Sequence, residues 1–78
     1  MFDQIVGVIA DVMHVNRDTI TKDTLLIEDL GVDSLDMYRI MLTLEDVLDA
    51  QLQPETADRK IRTVGDLCDR VKRALASI

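Results

Sequence analysis

The chain has 78 residues, with 9 Lys and Arg against 15 Asp and Glu, and a net charge of −6 at pH 7. A domain of this size buries only a little over ~60% of the surface that its unfolded chain exposes, which leaves little room for an enclosed catalytic cavity. We therefore expect one domain over residues 1–78 that is not an enzyme. Because 47% of the residues are hydrophobic, the chain can still bury a core, and global disorder is disfavoured.

Cysteine use and hydropathy exclude several further classes. The single cysteine, Cys68, cannot form an internal disulfide, and no Cys/His cluster has metal-ligand spacing, so we predict no metal site. The longest apolar stretch, Ile5 to Ala10, is far shorter than the ~20 residues that a membrane span needs. The N-terminus lacks the features of a signal or transit peptide. We expect a soluble, cytoplasmic protein without a membrane span.

The charge is unevenly distributed along the chain. Residues 1–58 carry a net charge of −10 and residues 59–78 a net charge of +4, and Arg39 is the only basic residue of segment 23–49. An acidic surface repels nucleic-acid phosphates and raises encounter rates with basic protein patches, so we predict protein partners and no nucleic acid. The alternative is that these charges only keep a small helical protein soluble.

The first predicted elements are a helix and a long loop. Ile5, Ile9, Val12 and Met13 follow helical spacing, which predicts an amphipathic helix over about 3–15. The following stretch has no sustained periodicity up to Gly31 but contains several apolar residues, which favours a loop packed by its own side chains, with a short helical turn around 24–29.

A second helix is predicted from Leu35, and Asp33 with Asp36 three residues later resembles a capping box at its start. This helix has two apolar stripes. The stripe expected to face the core consists of Ile40, Leu44, Val47 and Leu48. The second stripe, which has no predicted partner, consists of Leu35, Tyr38 and Leu42.

Two helices are predicted in the remaining chain. Pro54 suits the first turn of a short helix over 54–59. The last helix has Thr63 as its N-cap and Asp66 in its first turn. Its apolar face consists of Val64, Leu67, Val71, Leu75 and Ile78. Since no strand alternation occurs, the predicted fold is all-α: a small four-helix bundle of three main helices and one short helix, with a long first loop.

The most specific segment is Gly31-Val32-Asp33-Ser34-Leu35-Asp36. Ser34 is predicted at the first helical position, where unpaired backbone N–H groups and the helix dipole favour a phosphate ester. The simpler interpretation is that Asp33 and Ser34 only cap the helix. The segment, however, resembles the phosphopantetheine attachment motif of acyl carrier proteins. The resemblance extends over nearly the whole chain, including the approach at 27–31 and the entry into the last helix at 61–67.

The resemblance implies a function. Ser34 would be esterified to 4′-phosphopantetheine, transferred from coenzyme A by a separate phosphopantetheinyl transferase, which makes the chain a phosphoprotein. The arm would carry acyl intermediates as thioesters to acyl-transfer, condensing or ligase enzymes with basic docking patches, in fatty-acid biosynthesis or a specialised acyl or polyketide pathway. Two alternatives stay open: an aminoacyl or peptidyl carrier, and a helical adaptor without a prosthetic group. In each case we expect a monomer.

The resemblance also implies roles for individual residues. Asp33 is expected to help engage the transferase or its metal ion. Leu35 and Asp36 match motif positions used for partner docking. From the second apolar stripe and the charged residues around it, we predict five more docking residues, although such a stripe more often belongs to the core: Tyr38, Arg39, Leu42, Glu45 and Asp46. The predicted lining of an acyl pocket is Ile9, Ile40, Leu44, Leu67 and Val71. Arg39 stands where fatty-acid carriers usually have an acidic residue, and Tyr38 is bulkier than the usual aliphatic, which indicates either neutral drift or a specialised carrier.

Two other site types do not fit the sequence. A serine hydrolase needs a base and a nucleophile turn, but His14 is the only histidine and Gly-x-Ser-x-Gly is absent. His14, near the end of the first helix, is instead expected to cap the helix dipole. An EF-hand also fails, because residues 23–36 lack the required alternation of oxygen ligands before a glycine.

Overall fold

The computed structural model describes residues 1–52 and 61–76. Within these ranges the elements are, in chain order, α1 (Phe2–Met13), a 3-10 helix (Arg17–Thr19), α2 (Ser34–Leu48) and α3 (Val64–Ala76). The all-α prediction is confirmed, and the only strand-like pairing in the described chain is an isolated antiparallel bridge between Leu25 and Thr63. The predicted short helix at 54–59 lies outside the described residues. No helix in the described ranges has both the length and the hydropathy needed to cross a membrane.

The core is apolar throughout the described chain. Each of the three helices contributes to it, and the loop between α1 and α2 adds three more side chains, as its apolar residues predicted. The buried side chains are Ile5, Val6, Val8, Ile9, Ile20, Leu26, Val32, Ile40, Met41, Leu44, Leu52, Val64, Leu67, Cys68 and Val71. Because the first loop is packed onto the helices, it holds the start of α2 in place.

Helix α1 ends earlier than the sequence analysis predicted. His14 takes the left-handed conformation with φ 55°, and its backbone N–H donates to the Ala10 carbonyl. The Val15 N–H donates to the same carbonyl at 3.1 Å. A left-handed residue after the last turn satisfies carbonyls that would otherwise lack donors. His14 therefore ends the helix through its backbone and not, as its position in the sequence suggested, through an effect on the helix dipole.

The first loop contains two turns. The Asn16 side chain accepts a hydrogen bond from the Asp18 N–H at 3.0 Å and caps the 3-10 helix, which was not predicted. The predicted helical turn near 24–29 occurs slightly later, since the Asp29 N–H donates to the Leu25 carbonyl and the Gly31 N–H to that of Ile27. Gly31, with φ 70°, ends this turn in a conformation that glycine adopts readily.

Backbone hydrogen bonds join the loop to the entry of α3. The Leu26 N–H donates to the Arg62 carbonyl, and the Val64 N–H donates to that of Thr24, each at 2.9 Å. The Gly65 N–H donates to the Lys22 carbonyl, which would lie only 3.2 Å from a Cβ at position 65. These hydrogen bonds hold the loop that precedes α2 against the start of α3.

Helix α2 presents two faces, as predicted, with one residue assigned to the wrong face. Ile40 and Leu44 are fully buried, but Val47 is 48% exposed, whereas Met41 is buried. Val47 lines an open groove between α1 and α2. Helical spacing predicts Val47 near the core, but the groove leaves it half-exposed.

Candidate functional site

Ser34 is the first residue of α2, and its side chain is exposed. The preceding residue, Asp33, is the N-cap and has an extended backbone. The Asp33 carbonyl accepts a hydrogen bond from the Met37 N–H at 2.9 Å, which starts the helical hydrogen bonding. The hydroxyl of Ser34 therefore stands at a helix start that is already regular in the first turn.

Two aspartates, and not Ser34, cap this helix. The Asp33 carboxylate accepts a hydrogen bond from the Asp36 N–H at 2.8 Å. In return, the Asp36 carboxylate accepts one from the Asp33 N–H at 3.3 Å, which completes a capping box. The predicted box is confirmed. Because neither bond uses Ser34, the interpretation that Ser34 serves as a cap finds no support in this geometry.

The chain that leads to Ser34 is anchored from inside the protein. Val32, two residues before Ser34, is 3% exposed, and its N–H donates to the Leu26 carbonyl at 2.9 Å. The half-buried Leu30 packs against the same core. Because Val32 is buried, the backbone just before Ser34 is held in place, while the Ser34 hydroxyl remains accessible.

The start of α3 has its own polar anchor next to this loop. The Asp66 carboxylate accepts hydrogen bonds from the N–H groups of Thr63 and Arg62, each at 3.1 Å. These bonds favour the ionised form and lower the pKa of Asp66 below its ordinary value of 3.8. The Asp66 N–H in turn donates to the Thr63 hydroxyl at 3.0 Å, which confirms Thr63 as a capping residue.

An exposed apolar stripe runs along α2 from the residue after Ser34. Leu35 is 57% exposed, Tyr38 49% and Leu42 42%. We call these three side chains the α2 stripe. They lie on the opposite side of the helix from Ile40 and Leu44, which are fully buried. About half of the surface of these side chains has no cover in the described chain, and a contiguous exposed apolar patch is typical of a contact surface.

The predicted charged residues around the α2 stripe differ in their surroundings. Arg39 and Asp46 are exposed. Asp36 and Glu45 are half-buried and hold backbone N–H groups: Asp36 in the capping box, and Glu45 through a 3.2 Å hydrogen bond from the Leu52 N–H. The structure thus places all four on α2, but only Arg39 and Asp46 are exposed.

Ile27 is an exposed apolar residue, although its position among other apolar residues of the first loop predicted packing. It is 64% exposed and lies in the turn whose last N–H, that of Gly31, donates to its carbonyl. Its neighbour Leu26 is buried. The run Leu25-Leu26-Ile27 suggested packing for the whole segment, yet a tight turn directs successive side chains apart. A turn signal at Gly31 was the available clue.

The five residues predicted to line an acyl pocket lie in one core cluster. Each has no exposed surface, and they come from all three helices. The residues are Ile9 on α1, Ile40 and Leu44 on α2, and Leu67 and Val71 on α3. An acyl chain could reach them only if these side chains moved apart, so the pocket stays a prediction.

A separate cavity of about 420 Å³ lies between the start of α1 and α3. Its lining includes Cys68, Lys22 and Lys72. Burial raises the pKa of the Cys68 thiol, which keeps it protonated and makes it a poor nucleophile. Across the part of the chain that the structure describes, no cluster of three or more His, Cys, Asp or Glu could hold a metal ion.

Comparisons with known proteins agree with this geometry. Residues 3–71 match the family model described as a phosphopantetheine attachment site. The chain is 39% identical over 71 residues to the acyl carrier protein of Clostridium perfringens, with 91% of this chain and 92% of the relative covered. It is 39% identical to that of Lactobacillus acidophilus (92% and 89% covered) and 35% identical to that of Syntrophobacter fumaroxidans (95% and 90% covered). The chain therefore belongs to the acyl carrier protein family.

Proposed function

We propose that this protein carries acyl groups on a 4′-phosphopantetheine arm attached to Ser34 and presents them to enzymes that dock on α2. Its family consists of carriers that are not enzymes, and it implies covalently attached 4′-phosphopantetheine. The bound arm supplies a terminal thiol that holds the acyl group as a thioester. The main support for the proposal is that Ser34 is exposed and is the first residue of α2, next to a cap made by Asp33 and Asp36.

The surroundings of Ser34 fit an attached arm. The side chain is exposed, so an arm on its oxygen extends into solvent. The unpaired N–H groups of the first turn and the positive end of the helix dipole stabilise a phosphate ester there. Val32, buried two residues earlier, keeps the attachment point in one place while the arm moves.

The α2 stripe and the acidic charge support docking of basic partner surfaces. Segment 23–49 has a net charge of −7. Such a field raises the rate of encounter with a basic patch. Once the two proteins touch, the α2 stripe adds apolar contacts at short range. A carrier that visits several enzymes in turn needs contacts that form and break quickly. We include among these partners the phosphopantetheinyl transferase and acyl-transfer, condensing or ligase enzymes.

The carrier proposal is favoured over the two alternatives. A helical adaptor without a prosthetic group does not account for a match to the attachment-site family over residues 3–71. An aminoacyl or peptidyl carrier does not account for relatives that are named acyl carrier proteins. Fatty-acid biosynthesis and a specialised acyl or polyketide pathway both fit. We also propose that the protein is a one-domain monomer of the cytoplasm, a reducing compartment in which the free thiol of Cys68 would stay reduced.

The attachment is tested with the sequence's two serines. The purified apo-protein is incubated with coenzyme A, magnesium and a broad-specificity phosphopantetheinyl transferase, and the added mass is located by peptide mass spectrometry. We expect modification of wild type and of the matched control Ser77→Ala, and none of Ser34→Ala. Equal modification of Ser34→Ala, or none of wild type, contradicts the proposal.

Docking is tested at Asp46, which is exposed and makes no cap. Asp46→Lys is expected to lower the transferase's kcat/KM about three- to tenfold at low salt, because it removes attraction to a basic patch. The loss should shrink at high salt. The matched control is Asp69→Lys on α3, also exposed, which makes the same charge change away from α2. Equal losses for the two variants would show that net charge alone matters.

A further inference from the structure

Arg39 interrupts the acidic segment at the centre of the docking face. It lies four residues after Leu35 and three residues before Leu42, so one member of the α2 stripe flanks it on each side along the helix. Like them, it is exposed. An enzyme that covers the α2 stripe therefore also covers the guanidinium.

The charge of Arg39 is not neutralised by a direct contact within the described part of the protein. No ion pair of its guanidinium occurs among those residues. Asp36, one turn earlier, directs a carboxylate oxygen to the Asp33 N–H in the capping box. Asp46 lies two turns further along α2. A docked enzyme must therefore either place a counter-ion against the Arg39 guanidinium or leave this cation dehydrated and unpaired.

We propose that Arg39 is a specificity residue, which selects enzymes whose basic docking patch contains a carboxylate opposite it. This inference rests on the proposed function. A patch that is basic throughout would place like charges together and leave the guanidinium desolvated without a counter-ion, both of which weaken binding. The same residue thus attracts one class of partner and rejects another, which is how charged interfaces discriminate.

The test is a set of charge exchanges with the phosphopantetheinyl transferase as the probe. Each Lys and Arg of its carrier-binding patch is changed to Glu, one at a time, and kcat/KM for Ser34 modification is measured with wild type and with Arg39→Glu. For each enzyme, kcat/KM with wild type is divided by kcat/KM with Arg39→Glu, and the coupling is this ratio for the Glu variant divided by the ratio for the parent enzyme. At one patch position we expect a coupling of roughly five or more. The coupling should fall at high salt.

Controls separate this effect from net charge and from misfolding. Arg73→Glu makes the same charge change on an exposed residue of α3 and should show no position-specific coupling. Arg39→Gln removes the cation without adding an anion and should show about half of the coupling on a logarithmic scale. The circular dichroism spectra of these variants are expected to match that of wild type, since both positions are exposed.

The outcomes distinguish this inference from the proposed function. A coupling near one at every patch position, or an equal coupling with Arg73→Glu, overturns the role of Arg39. If Ser34 is modified normally under that result, the carrier function stands. If no combination of enzyme and variant modifies Ser34, the proposed function itself fails.

Discussion

Leu44→Ala and Leu42→Ala make the same chemical change two residues apart on α2, and the structure predicts opposite consequences. Leu44 has no exposed surface and lies in the core cluster, whereas Leu42 is 42% exposed on the α2 stripe. The change in helix propensity is the same for both variants, because both residues lie inside the same helix. Any difference in stability therefore reports burial.

The magnitude follows from that burial. Truncation of a fully buried leucine costs the transfer free energy of the lost methyl groups and leaves a cavity, about 3 kcal/mol together. The half-exposed Leu42 should lose about 1 kcal/mol or less, since much of its surface is already in water. In a domain of this size the difference of about 2 kcal/mol corresponds to roughly 8–16 °C in Tm.

Urea unfolding followed by circular dichroism measures the stability of both variants. If Leu44→Ala does not fold while Leu42→Ala does, that result also shows the larger loss at Leu44. The transferase assay should show the reverse order: Leu42→Ala lowers kcat/KM, whereas Leu44→Ala retains it below its unfolding transition. Equal losses of stability, or a larger loss for Leu42→Ala, would refute the assignment of the two faces.

Further predictions concern the backbone and pH. Gly31→Ala should lose about 1 kcal/mol, because φ 70° is unfavourable for alanine although space is open there. Gly7→Ala, also in open space but inside α1, should gain about 0.5–1 kcal/mol, so urea unfolding that shifts both variants in one direction contradicts the reasoning. The lowered pKa of Asp66 means that its stabilisation is present above its unfolded pKa, near 3.8, and is lost as pH falls through the folded pKa. Unfolding midpoints should therefore fall more steeply below about pH 4 in wild type than in Asp66→Asn, and parallel profiles would exclude this role.

Local patterns predicted the parts of the molecule that depend on local physics. The two stripes of α2 follow from helical spacing, and the buried Ile40 and exposed Tyr38 confirm them. The capping box of Asp33 and Asp36 follows from a three-residue spacing in the sequence. These features need only the geometry of a single helix.

Features set by distant segments could not be predicted in this way. The hydrogen bond from Leu26 to Arg62 joins residues far apart in the chain, and no local pattern encodes such a pairing. Val47 was predicted in the core because spacing along one helix cannot show that an open groove lies beside it in the folded protein. Likewise, no local pattern predicts that the Glu45 carboxylate accepts a hydrogen bond from the Leu52 N–H, seven residues later.

The covalent state of the protein isolated from its own cells shows whether Ser34 carries the arm. Intact-mass measurement followed by peptide mapping would locate any 4′-phosphopantetheine. We predict that it is found on the peptide that contains Ser34 and is absent when Ser34→Ala is expressed in the same cells. A Ser34 peptide that is entirely unmodified, or an arm attached at another residue, would contradict the proposal that Ser34 is the attachment site.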